Sequence, residues 1–215
     1  MRVAFSGRQR VFLRNIPCLV ALTPTMTLGT GSTQRLTRKA GGLTMSAPAK
    51  LAHFVLRTSD IDRLASWYCR VLEAKVVHRN KFIAFATFDD EHHRVAFLDR
   101  GFDKNPDPES NGVDHIAFTY ESLGDLLSTY VRLRQEEILP ERTINHGMTT
   151  SMYYVDPDGN RIELQVENFK DPQQGLDFMN GPVFEENPIG VLFDADEMAE
   201  LYASGVPEEQ LLQQG

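Results

Sequence analysis

Two histidines and one glutamate have the side-chain types and positions that a metal site needs. His53 and His115 each lie in a short apolar stretch, and the two stretches match at an offset of 62 residues. Glu163 falls in a predicted strand on the face opposite Ile162 and Leu164, because side chains alternate along a strand. If the matching halves pack about a pseudo-twofold axis, both imidazoles can point into one cavity with the carboxylate. Two imidazoles and one carboxylate on one face leave three coordination positions open, which is the arrangement of non-haem Fe(II) sites that handle O₂.

Each of these residues also has a simpler explanation. A single histidine in an apolar strand is usually a core residue with its hydrogen bonds satisfied, and a single glutamate after a turn is usually exposed. The equivalent positions of His53 and His115 in a repeat favour the metal site, because two unrelated core histidines need not share a position.

The elements that must hold these residues form an internal repeat. Residues 51–68 and 113–130 each predict a short strand, a turn and the start of an amphipathic helix. The helices are expected over about residues 60–73 and 122–136. Three strand-like runs follow each helix, at 75–78, 82–88 and 94–98 in the first half and at 138–143, 150–155 and 161–166 in the second. Each half is therefore predicted to be a βαβββ unit.

The repeat also predicts the domain organisation, since sequence repeats determine architecture. We expect one α+β domain over residues 50–168, with modules at 50–101 and 112–168 joined by a polar linker that contains two prolines. The two modules in tandem are expected to form a half-open mixed β-barrel around the metal site. Residues 169–215 are expected to form a C-terminal arm with a short acidic helix at 194–203. This arm would pack on the sheet, line the mouth of a pocket or contact a second subunit.

The first part of the chain differs in composition from the rest. Residues 1–44 contain six arginines and one lysine but no acidic residue, which is typical of a mitochondrial transit peptide. A disordered tail, or an extension upstream of a start at Met45, explains the same composition. We therefore expect residues 1–49 to be a disordered leader outside the fold. The protein is expected in the cytoplasm, or in mitochondria if the leader directs it there.

The remainder of the chain is acidic. The whole chain has 22 basic and 30 acidic residues, so removal of the seven basic residues of the leader leaves 15 against 30, a net charge of −15. Such a surface has no general attraction for nucleic acid. No apolar run is long enough to span a membrane, and two cysteines do not indicate a disulfide framework. Composition thus argues against a nucleic-acid or membrane partner, and a homo-oligomer is left open.

The repeat, the paired histidines and the motif Tyr-x-x-Asp-Pro-x-Gly-Asn-x-x-Glu, which ends at Glu163, resemble the vicinal oxygen chelate superfamily. Within it, residues 50–168 are similar to the type I extradiol ring-cleavage dioxygenases, such as the biphenyl-2,3-diol 1,2-dioxygenases. The resemblance implies that His53, His115 and Glu163 are the metal ligands. It implies Fe(II) as the cofactor, and Mn(II) is also compatible with such a ligand set.

The resemblance implies three further active-site residues. His93, in a His-x-Val-Ala-Phe strand, matches an outer-shell acid/base histidine, and an imidazole that titrates near neutral pH suits proton transfer. Tyr153 would hold a substrate oxygen, and His146, in a His-Gly-x-Thr element, would hydrogen-bond the substrate or a nearby loop. For each of them a structural hydrogen bond is the alternative. The neighbouring His92 is expected to point to the opposite face.

The function implied by the resemblance is Fe(II)-dependent extradiol cleavage, in which both atoms of O₂ enter a catecholic substrate such as a biaryl 2,3-diol. The first alternative is a glyoxalase-like isomerase or epimerase. Such enzymes usually take a fourth ligand from the last strand of the first module, which here offers His93 but neither Glu nor Gln. The second alternative is a metal-free binding protein of the bleomycin-resistance type, which has no need of a His-His-Glu set.

Overall fold

The computed structural model describes residues 38–40, 43–45, 48–101 and 111–213. The chain divides into two units, Met1–Ala49 and Lys50–Gly215. In the first unit, β1 (Arg38–Ala40) and β2 (Leu43–Met45) form an antiparallel pair. The rest of the predicted leader up to residue 37, and most of the predicted linker between the modules, lie outside the described residues. The leader and the linker therefore stay predictions.

The first module of the second unit has the predicted order of elements. These are β3 (Phe54–Thr58), α1 (Ile61–Val71), β4 (Lys75–Arg79), β5 (Ile83–Thr87) and β6 (Val95–Asp99). The strands form a sheet in the order β3-β6-β5-β4, in which β3 and β6 are parallel and the other pairs are antiparallel.

The second module repeats this topology. Its elements are β7 (His115–Tyr120), α2 (Leu123–Gln135), β8 (Arg142–Asn145), β9 (Thr149–Val155) and β10 (Arg161–Glu167). In its sheet β7 pairs in parallel with β10, as β3 does with β6. Two βαβββ modules with separate sheets of four and five strands, neither closed, confirm the predicted α+β fold.

The strand after α2 begins later than the sequence predicted. The prediction placed it at residues 138–143, whereas β8 spans Arg142–Asn145. Glu137 has a φ of 59°, and the Ile138 amide donates to the Leu133 carbonyl at 2.9 Å. Glu137 and Ile138 therefore close the C-terminal end of α2. Ile138 packs against the core and does not begin a strand.

The core lies between the two helices and one face of each sheet. Side chains that are at most 1% exposed come from both helices and both sheets: Leu64, Tyr68, Val71, Phe97, Leu126, Leu133, Met152, Tyr154, Ile162 and Leu164. Because Ile162 and Leu164 face this core, Glu163 between them faces the other side of the sheet, as strand alternation predicts.

The turn between β9 and β10 joins the second module to α1. Asp156 is buried, and its carboxylate accepts hydrogen bonds from the amides of Asp158 and Asn160 at 2.9 and 2.8 Å. It also accepts from the Asn160 side chain at 2.8 Å and from the Tyr68 hydroxyl of α1 at 3.2 Å. Gly159, with a φ of 85°, supplies the left-handed conformation of the turn. The position of β10, and of Glu163 on it, depends on this turn.

Replacing Asp156 with alanine is expected to lower the free energy of unfolding by about 3 kcal/mol, because buried donors lose their acceptor. Urea unfolding followed by circular dichroism measures the change. The exposed Asp90 provides the control: its alanine variant should unfold within about 0.5 kcal/mol of the wild type. Equal stabilities for the two variants would show that the turn network does not stabilise the fold.

The C-terminal arm contains more structure than the sequence predicted. It comprises α3 (Pro172–Met179), α4 (Pro182–Glu186), β11 (Val191–Leu192), α5 (Ala195–Ala203) and α6 (Glu208–Leu211). The predicted acidic helix is α5, which Asp194 caps, whereas α3 and α4 were not predicted. β11 pairs with β8, so the arm extends the edge of the second sheet. Of the helices that the structure describes, none combines the length and apolar character needed to cross a membrane.

Candidate active site

Glu163 and His115 meet on the side of the second sheet that faces away from the core. The parallel pairing of β7 with β10 brings the two residues together, with His115 opposite Arg161 and Glu163 opposite Ala117. Nε2 of His115 lies 3.0 Å from Oε2 of Glu163. Glu163 is only 5% exposed. A carboxylate buried to this degree needs a cation or several hydrogen-bond donors close by.

Neighbouring side chains hold both members of this pair. Nδ1 of His115 donates to Asp114 at 2.7 Å, and this hydrogen bond lowers the pKa of Asp114. The Tyr153 hydroxyl donates to Oε1 of Glu163 at 3.1 Å. Burial, and next the charge of Glu163, raise the pKa of Tyr153, so the phenol remains a hydrogen-bond donor. A carboxylate behind an imidazole is the outer-shell arrangement that orients metal-binding histidines.

His146 is connected to the pair through Tyr153. Its Nε2 lies 2.9 Å from the Tyr153 hydroxyl, and its Nδ1 donates to the Ile189 carbonyl at 2.6 Å. Ile189 belongs to the arm, so the arm fixes the orientation of this imidazole. Gly190 has a φ of 97°, and a Cβ at this position would lie 2.2 Å from the Asn145 carbonyl oxygen. Glycine therefore allows the arm to approach this closely.

His53 and His93 lie together in the first module. Their ring centroids are 4.4 Å apart, and Phe85 stacks on His93 at 4.6 Å. Burial, followed by the nearby His53 and His92, lowers the pKa of His93. The ring of His92 lies 4.5 Å from that of His93, so the expectation that His92 points to the opposite face was wrong. Both residues precede β6 in a loop, where the alternation of a strand does not apply.

Arg94 holds the segment that leads into His53. Its guanidinium donates to the carbonyls of Leu51 and Ala52 at 2.8 and 3.0 Å and to Asp89 at 2.8 Å. The Arg94 carbonyl also accepts from the Phe54 amide at 3.1 Å. The backbone on both sides of His53 is therefore bound to the residue that follows His93.

The first strands of the two modules are neighbours, as the pseudo-twofold arrangement predicted. The rings of Phe54 and Phe118 lie 5.8 Å apart, and a cavity of about 260 Å³ is lined by both of these strand residues and by His53, which directly precedes β3. Among the residues that the structure describes, no three His, Cys, Asp or Glu side chains lie close enough to hold a metal ion. The structure therefore brings His115 to Glu163 and His53 to His93, but it does not bring the three predicted ligands into one cluster.

A cleft of about 1530 Å³ opens onto this part of the second module. Glu163, Tyr153 and His146 contribute to its lining, and much of the remainder comes from the C-terminal arm. A concave surface that combines apolar side chains with a buried carboxylate and two hydrogen-bonding side chains has the composition of a small-molecule site.

Comparison with known proteins places the chain in a family. Residues 50–164 match the model of the Glyoxalase/Bleomycin resistance protein/Dioxygenase superfamily. The chain belongs to this superfamily. The chain is 44% identical over 168 residues to biphenyl-2,3-diol 1,2-dioxygenase 2 of Rhodococcus globerulus. The matched residues cover 78% of this chain and 88% of that protein. It is 43% identical over 169 residues to biphenyl-2,3-diol 1,2-dioxygenase 3 of the same organism. This match covers 78% of this chain and 89% of that protein.

A more distant relative is a probable lactoylglutathione lyase of Synechocystis sp., 28% identical over 132 residues, which cover 56% of this chain and 98% of that protein. The two dioxygenases confirm the predicted resemblance to the type I extradiol enzymes and, with it, the prediction that the chain is an enzyme of this kind. The ligand set and the roles of the individual side chains stay predictions.

Two contacts of the candidate site were not predicted from the sequence. Asp114 directly precedes His115, where the first repeat has Ala52, and this difference between the repeats was an available signal. The contact of Ile189 with His146 uses a backbone carbonyl. Because every residue has such a carbonyl, the residue type at position 189 gives no indication of the contact.

Proposed function

We propose that this protein is an extradiol dioxygenase that cleaves the ring of a catecholic diol with O₂ at a divalent metal site, with Fe(II) as the metal. One observation carries the proposal: a buried carboxylate, Glu163, lies 3.0 Å from the imidazole of His115. This pair occurs in a chain with 44% identity, over most of its length, to enzymes named for cleavage of biphenyl-2,3-diol.

The donor atoms on the second sheet fit a divalent cation. Glu163 and His115 direct an oxygen and a nitrogen at one another, and Asp114 supports the far side of the imidazole. We assign these two residues as ligands, and His53, which directly precedes β3, as the third. A bound Fe(II), or Mn(II), would supply Lewis acidity and a common centre for the diol and O₂.

The remaining side chains would move protons and hold the diol. His93 would remove a proton from a diol hydroxyl, and its lowered pKa keeps the imidazole in the unprotonated form that a base requires. On substrate binding, Tyr153 would turn its single hydroxyl proton from Glu163 to a substrate oxygen, and Nε2 of His146, 2.9 Å from the phenol oxygen, would help to position it. The substrate would enter through the cleft that Tyr153, His146 and Glu163 line together with the arm.

Replacing Tyr153 with phenylalanine is expected to lower kcat by about 10- to 100-fold while the bound metal is retained, since an outer-shell partner is lost but no ligand is. The hydroxyl touches both Glu163 and His146, so its removal leaves each without that partner. Steady-state kinetics and metal analysis give the two values. Tyr202 of α5 provides the matched control, and its phenylalanine variant should behave as the wild type. Full activity in the Tyr153 variant would show that the phenol has no role in turnover.

The function itself can be tested with the full chain, purified without oxygen and loaded with Fe(II) or with Mn(II). Catechol or 2,3-dihydroxybiphenyl is added, air is admitted, and O₂ uptake and visible absorbance are followed together. A yellow product formed in proportion to the O₂ consumed is the expected result. Bound metal without O₂ uptake on any diol would favour the isomerase, and no metal binding would favour the metal-free binding protein.

A further inference from the structure

Helices α3 and α4 of the arm form an apolar wall of the cleft. Leu176, Met179 and Val183 line the same cleft as Tyr153 and Glu163. The three apolar side chains are 47%, 40% and 54% exposed. Neither helix buries any residue in the core, so core packing does not explain their apolar character. Exposed apolar side chains grouped inside a cleft are typical of a ligand-binding surface.

The wall is continuous with the candidate active site. The ring of Phe178 packs directly on Gly147, where a Cβ would lie only 2.1 Å from the nearest ring carbon. Gly147 follows His146, so α3 reaches the residue next to the imidazole. Phe178 is braced by Phe169 at 5.9 Å and by Phe184 at 6.2 Å between ring centroids.

The end of the arm is bound to the same loop by the side-chain amides of Asn145, which is buried, and Asn168, which is half-buried. The Asn168 side chain donates to the Asn145 side chain and to the Gly147 carbonyl, both at 3.0 Å, and to the Leu212 carbonyl at 3.3 Å. Asn145 also donates to the Leu212 carbonyl at 3.0 Å. These bonds hold the end of the arm against the loop that carries His146, and the contact of Phe178 with Gly147 holds α3 against the same loop.

The charged side chains that line the cleft determine whether an anionic or a neutral substituent can bind beside the apolar wall. The acidic side chains of Glu121, Glu167, Asp171, Glu208 and Glu209 also line the cleft, against the single lysine Lys170. An anionic substituent would be repelled by this set, whereas a neutral ring has no charge to oppose.

We infer that Leu176, Met179 and Val183 form the subsite for a neutral apolar substituent of the diol, namely the second ring of a biaryl 2,3-diol. This inference rests on the proposed function and adds to it the part of the chain that selects the substrate. The hydroxyls of the diol face Tyr153 and Glu163, and the second ring lies against α3 and α4.

The test is a double variant, Leu176→Ser with Met179→Ser, compared with Leu201→Ser. Leu201 is an equally exposed apolar residue of the arm, on α5 and outside the cleft. The kcat/KM for 2,3-dihydroxybiphenyl relative to that for catechol should fall about tenfold or more in the double variant, the range in which apolar pockets discriminate. The ratio should be unchanged in the Leu201 variant. An unchanged ratio in the double variant would overturn the inference.

Calorimetry without oxygen separates this inference from the proposed function. The dissociation constant of 2,3-dihydroxybiphenyl should rise about tenfold in the double variant, while that of catechol stays within about twofold. Selective loss of biaryl binding in a protein that turns over no diol would support the subsite and contradict the dioxygenase. Turnover of both diols, with equal effects of the double variant on each, would contradict the subsite and leave the dioxygenase standing.

Discussion

The Glu163→Ala variant is expected to lose its bound metal and to turn over diols on the order of 10³-fold more slowly, since loss of even an outer-shell partner costs about 10- to 100-fold. Glu163 is the buried carboxylate of the site, and its two oxygens face His115 and Tyr153. Its removal deletes a ligand and the negative charge that balances the cation. Metal content after gel filtration and the rate of O₂ uptake measure the two losses.

Two further variants make this result specific. Glu163→Gln keeps the size of the side chain and an acceptor for Tyr153 but removes the charge, so it should also fail to retain metal. Glu200→Ala removes an exposed carboxylate of α5 and should retain wild-type metal content. Wild-type metal content in Glu163→Ala would contradict the assignment of Glu163 as a ligand.

The second large effect is expected at His93. His93→Ala should lower kcat by about 10²- to 10⁴-fold, the range for loss of a positioned acid or base, while metal content stays at the wild-type level. The exposed His78 on β4, whose ring lies 5.6 Å from that of Phe85, provides the control. His78→Ala should have wild-type activity.

The outcome at His93 separates two of the functions that the sequence left open. The rings of His93 and His53 are in contact, so either could face a metal ion. If His93→Ala loses metal together with activity, His93 is a ligand rather than a base, and a four-ligand site of the isomerase type is favoured. Retained metal with lost turnover is the result expected of the dioxygenase.

The sequence predicted the fold because it contains the same module twice. The offset of 62 residues between His53 and His115 identified both first strands, and alternation along β10 placed Glu163 away from the core. These are strong signals because each repeats a pattern over many residues. The helices α3 and α4 gave no such signal, since they are short and bury no residue.

The details of the candidate site depend on contacts that sequence patterns do not encode. The orientation of His146 depends on the Ile189 carbonyl, 43 positions further along the chain. The contact between His92 and His93 follows from a loop conformation rather than from strand periodicity. The sequence predicted His53 as a ligand beside His115, whereas the structure places its ring against His93. The site residues themselves stay predictions, and the tertiary contacts show only how these side chains pair in the structure.

Labelling with oxygen-18 gas tests the central claim, ring cleavage with insertion of both oxygen atoms, most directly. The full chain loaded with Fe(II) is supplied with 2,3-dihydroxybiphenyl under oxygen-18, and the product is analysed by mass spectrometry. We predict a ring-opened product in which both atoms of one O₂ molecule are retained. Unlabelled product, or a quinone formed while O₂ is released as peroxide, would contradict an extradiol dioxygenase.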